Sequence, residues 1–164
     1  MTMGRMGWIN QNARLDATYG RLGRNDGYLV SVIPRTDYAF DPRVSGGNSV
    51  IPLVVGVDSS SWVSGMLLVR LHARSAWATG VQAKVIVQNI MLTPDEPDVI
   101  FAPATLATSV AQVQIDNSTN APLLLTAPMT NMSAMLRVVI ELVPGSSTGL
   151  NTFSVGVDLV GCPA

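Results

Sequence analysis

The chain has 164 residues, with ten Lys plus Arg against eleven Asp plus Glu, a charged fraction of 13% and an apolar fraction of 48%. High apolar content with sparse charge excludes a chain disordered throughout, and the length suits one domain able to bury a core without disulfide staples. A formal net charge of −1 lacks the basic footprint through which phosphate neutralisation drives nucleic-acid binding, so no nucleic-acid partner is expected.

Cys162 is the single cysteine, which leaves no intrachain disulfide and no thiolate cluster for zinc or iron–sulfur. The start, Met1 to Trp8, has no apolar signal-peptide region, and no uninterrupted apolar run approaches the roughly 18 residues of a membrane span. The expectation is synthesis in the cytoplasm with no membrane partner. Asn117-Ser118-Thr119 and Asn131-Met132-Ser133 match the glycosylation sequon but read as turns.

In chain order, residues 1–43 come first, and the pattern predicts an extended arm. The segment carries Arg5, Arg14, Arg21, Arg24, Arg35 and Arg43 against Asp16, Asp26, Asp37 and Asp41, so it is net positive while the remainder is net negative. Trp8, Tyr19, Tyr28, Tyr38 and Phe40 are scattered through it without a sustained period, although Tyr28 to Ile33 has strand composition. From residue 44 a β-sandwich domain is expected, because the period becomes two. Val50 to Val57 reads as a strand that Pro52 confines to a sheet edge. Met66 to Ala73 alternates Leu67, Val69 and Leu71 with Arg70 and His72; Val81 to Leu92 alternates until Asn89 breaks the phase, as a bulge or an edge crossing would. Ala104 to Ile115 and Pro122 to Thr126 are further candidates. Ala134 to Val143 and Thr152 to Val160 alternate most cleanly, and the Pro144 to Gly149 turn between them predicts a hairpin. Helices should be few and short. The fold class is therefore all-β, an antiparallel β-sandwich of seven to nine strands, for which jelly-roll topology is one arrangement.

Chemistry is hard to assemble from these residues. His72, the only histidine, alternates onto the polar side of its strand and reads as a surface or interface residue. Gly145 to Gly149 matches G-x-S-x-G, but that motif works on a strand-to-helix turn and here a strand follows. Asp95, Glu96 and Asp98 could offer oxygens to a cation, yet Pro94 and Pro97 fit a solvated connection. Asp58 to Ser61 reads as a turn before the next strand. Trp62 and Trp77 remain as ligand or interface residues, and sugar stacking on them supports an alternative reading as a carbohydrate-binding or adhesive module. No cofactor, metal or catalytic residue is expected, and the chain is not read as an enzyme.

An arm cannot order itself by local contacts, because fixing its backbone costs about 1–2 kcal/mol per residue. Its aromatics and arginines are the types enriched where proteins meet. Trp8, Arg14, Tyr19, Arg21, Arg24, Tyr28, Tyr38 and Phe40 are therefore the candidate interface residues. An arm joined to a turn-rich sandwich, with one lysine and eight methionines, resembles in layout the shell components of virions: capsid jelly-roll proteins and the decoration or auxiliary head proteins of tailed bacteriophages. The resemblance covers the whole chain and rests on no single motif. It implies a structural protein of a virus or phage particle that decorates or stabilises the capsid. It also implies partners that are copies of itself, often in threes, and a major capsid protein.

Overall fold

The computed structural model describes residues 28–41, 43, 47–93, 95–102, 109–146 and 148–163. Nine strands run through them: β1 (Tyr28–Phe40), β2 (Ser49–Asp58), β3 (Trp62–Arg74), β4 (Gln82–Thr93), β5 (Glu96–Phe101), β6 (Ala111–Asp116), β7 (Leu123–Met129), β8 (Met135–Val143) and β9 (Asn151–Pro163). They form an all-antiparallel sandwich. One sheet has the order β1-β9-β3-β7, and the other β2-β8-β4-β5, with β6 also paired to β4. The β5 and β6 segments pair with β4 in succession, against Met91–Thr93 and then against Gln82–Val87.

Alternation explains the core. Leu67, Val69 and Leu71 of β3 and Val155, Val157 and Leu159 of β9 meet Val85 and Val87 of β4 and Leu136, Val138 and Ile140 of β8, all fully buried. Each strand offers every second side chain to the space between the sheets, where burial contributes roughly 25 cal/mol per Å² of apolar surface. Pro52 lies on an edge strand, as expected, since among the described strands β2 pairs only with β8 and its register shifts on either side of Val54 and Val55.

Three expectations need correction. Residues 28–40, assigned to the arm, are a strand of the sandwich: β1 pairs with β9 from Tyr28 to Phe40. Pro34 does not end it, because the register shifts between Ser31 and Ile33 and again before Thr36, so the proline occupies an irregular edge position where no ladder amide is required. The hairpin expected between the last two strands does not form. β8 pairs with β2 and β4 while β9 pairs with β1 and β3, so the turn at 144–150 crosses from one sheet to the other. Identical alternation cannot distinguish two neighbours in one sheet from two strands facing each other across a core. Nor does Asn89 mark a bulge against β8, since that ladder runs unshifted from Gln82 to Ile90. The phase is lost because β4 is covered on both faces: Ile86 and Gln88 are as buried as Val85 and Val87. The shift falls further on, against β5.

Candidate functional site

Four aromatic rings meet where β1, β9 and the β3–β4 connection converge. Tyr38 stacks on Phe153 at 5.3 Å between centroids, and Trp77 lies edge-on to Phe153 at 5.6 Å and to Phe40 at 5.8 Å. The indole N–H of Trp77 donates to the Thr152 carbonyl at 3.3 Å. Arg74 lies 5.3 Å over the Trp77 ring and donates to the carbonyls of Thr119 and Ser75, each at 2.9 Å. A cleft of about 490 Å³ opens beside this cluster, lined by Asp37, Tyr38, Arg74, Ser75, Thr152 and Ser154 among others. Burial raises the Tyr38 phenol above its usual pKa. The cation lining the cleft, Arg74, is engaged in tying the strand ends together.

These contacts relocate several candidate residues. Phe40 and Trp77, expected at an interface, are core residues, as is Trp62. The Trp62 ring rests on Gly161, where an added Cβ would come within 2.0 Å of it. Neither tryptophan presents a free face, which removes the stacking platform of the carbohydrate reading. Tyr38 is half-buried and turned toward the same cluster. Tyr28 opens β1 opposite Gly161. Trp8, Arg14, Tyr19, Arg21 and Arg24 lie outside the described residues. Among the described residues no three His, Cys, Asp or Glu side chains converge as metal ligands would, and Asp95 is exposed.

The polar runs are turn chemistry. The Asp116 carboxylate accepts from the Ser118 hydroxyl at 2.6 Å and its amide at 2.9 Å, and from Thr119 and Gln114. The Ser118 hydroxyl and amide hold its pKa down at about 2, aided by Gln114 and Thr119 against some desolvation. Asp58 is lowered in the same way by the Ser60 hydroxyl and amide. Both aspartates close turns, as their sequence context predicts.

The feature that sequence reading missed lies on the face of the four-stranded sheet turned away from the core. The register sets Leu29 beside Val160, Val160 beside Met66 and Met66 beside Pro128, one row across all four strands. In the next rows come Leu68, between Asp158 and Thr126, and Arg70, between Gly156 and Leu124. Met66 is 40% and Leu124 57% exposed, with Val63 more open still at the start of β3. One ion pair stands on this face: Arg70 meets Asp158 at 2.9 Å, its guanidinium lying across Gly156 where a Cβ would stand only 2.8 Å away. The available sequence signal was Leu123-Leu124-Leu125, which places apolar residues on both faces of a strand and so violates the alternation of a half-solvated sheet.

No protein-family model matches this chain, and no curated protein does. Among solved structures, it is similar to a chain of infectious bursal disease virus Gt strain, at 15% identity and a TM-score of 0.39 over 86% of this chain and 32% of that one. It is also similar to infectious bursal disease virus VP2 in a subviral particle, at 10% identity and a TM-score of 0.30 over 87% of this chain and 42% of that one. The chain thus spans between a third and about two fifths of the length of the chains it matches.

Proposed function

We propose that this chain is a structural subunit of a virus or phage particle, acting through subunit–subunit contact rather than chemistry. The observation that carries the reading is the apolar row on the outer face of the four-stranded sheet, from Leu29 through Val160 and Met66 to Pro128, with Leu68 and Leu124 beside it. Soluble monomers rarely leave contiguous apolar surface open to water, and such surface marks a place where another protein sits. Strand order supports the same reading. When β5 and β6 are counted as one interrupted strand along β4, the eight strands are ordered 1-8-3-6 facing 2-7-4-5, the connectivity we infer to be a jelly roll. That fold is used by viral capsid domains.

The mechanism is mechanical. A sandwich packed from both sheets transmits load stiffly, and its outward apolar face gains stability only when a neighbour covers it. Trp8, Arg14, Tyr19, Arg21 and Arg24 would add a clamp on adjoining copies or on a major capsid protein, with threefold grouping as the working symmetry. Light scattering coupled to size exclusion tests the reading. The full chain, 17.4 kDa as a monomer, is expected to elute as a defined oligomer whose mass rises with concentration. A monomer throughout the micromolar range would overturn it.

A further inference from the structure

We infer that β7 is the seam through which two copies of this chain join edge to edge, antiparallel about a twofold axis at Leu125. The inference rests on the self-association proposed above and names the strand that carries it.

The sheet edges are not alike. β1 is guarded by Pro34, Arg35, Asp37 and two register shifts, and β2 by Pro52, Asp58 and two more. β5 carries Glu96 and Asp98 beside a shift, and β6 is six residues long and ends on Asp116. Prolines, charges and irregularities are the devices by which folded proteins keep sheet edges from pairing with other chains. β7 is different over its central stretch. Its ladder with β3 is unbroken from Leu123 to Met129, and the chain from Ser118 to Ala134 contains no charged residue. Among the described strands only β3 pairs with it, and Leu123, Leu124, Thr126 and Pro128 are exposed.

Two prolines define the register. Pro122 and Pro128 lack an amide hydrogen and stand symmetrically three residues either side of Leu125. An antiparallel self-pair confined between them centres on Leu125, with Leu124 opposite the second copy's Thr126 and Leu123 opposite its Ala127. Such a pairing sets a strand against its own reversed sequence, so any charge near the axis would face its like; β7 has none. Joining two four-stranded sheets this way makes one continuous sheet, in which the row through Arg70 and Leu124 runs on into the second copy's row through Thr126 and Leu68.

Sedimentation equilibrium of the full chain, with circular dichroism to monitor folding, tests this. Leu124→Lys should weaken self-association by about tenfold or more, since it places charge beside a desolvating seam, whereas Val50→Lys on the β2 edge should leave it unchanged. A second variant does not depend on Leu124→Lys remaining folded. Leu125→Cys combined with Cys162→Ser should oxidise to a disulfide-linked dimer, because directly opposed Cα atoms in an antiparallel ladder lie about 4.5–5.5 Å apart, within disulfide reach. If the wild type associates but folded Leu124→Lys associates as tightly, or Leu125→Cys fails to cross-link, the β7 seam is wrong while the structural-subunit reading stands. A wild type that is monomeric at every concentration overturns both.

Discussion

Trp77 shows how one residue decides between two functions. Its ring is closed in by Phe40 and Phe153, and its N–H is satisfied by a backbone carbonyl. Trp77→Ala should therefore lower unfolding free energy in urea by about 3–5 kcal/mol, the range for removing a buried aromatic; a loss below about 1 kcal/mol would contradict the burial. Gly161 gives a complementary case, since any side chain there must displace the Trp62 ring. Asp116 sets a pH dependence. Its folded pKa of about 2 lies below the 3.8 of a free aspartate, so its contribution is complete above pH 3.8 and is lost as pH falls from there through about 2. Asp58 is shifted in the same direction. The urea midpoint should fall on acidification across that window, and Asp116→Ala should flatten part of the fall. Solvent around the carboxylate keeps the effect well below that of a buried ion pair.

At the scale of elements, the turn between β8 and β9 does more than reverse the chain. It carries the backbone across the sandwich, and there Gly145 adopts a φ of 55° with its Cα side pressed on the Gly80 backbone, where a Cβ would approach to 2.3 Å. Gly145→Ala should cost about 2–4 kcal/mol in urea unfolding, combining left-handed strain with overpacking; a neutral result would show that the crossing loop can relax. This crossing illustrates what was legible beforehand. Alternation located β3, β8 and β9 to within a few residues, because a half-buried strand must repeat every two. Pairing partners were not legible: they depend on which sheet each strand joins, and period two is silent on that. β1 was half hidden because Pro34, Arg35 and Asp37 look like loop chemistry until an edge position with a shifting register accommodates them. The burial of Trp62 and Trp77 was hidden for a related reason: Trp62 opens β3 and Trp77 lies in the β3–β4 connection, where only contacts distant in sequence reveal it. The outer apolar rows were hidden too, since register alone brings Leu29, Val160, Met66 and Pro128 into line.

For the whole molecule, the decisive matter is which described residues the sandwich cannot do without. β1 lines β9 from Asn151 to Gly161, and its last residues place Tyr38 on Phe153 and Phe40 on Phe153 and Trp77. A chain beginning at residue 44 would lose that strand, open the β9 edge to water and unroof the aromatic cluster. A chain beginning at residue 28 keeps every described strand. Far- and near-ultraviolet circular dichroism on heating should show a cooperative transition for residues 28–164 and none, or aggregation, for residues 44–164. A cooperative transition for residues 44–164 at the full-chain midpoint would mean that β1 is an accessory and not a wall of the core. The comparison also isolates the first 27 residues. If the shorter folded chain still forms β7-joined pairs but no larger assemblies, the clamp proposed for Trp8, Tyr19 and the arginines acts between pairs, and the sheet edge acts within them.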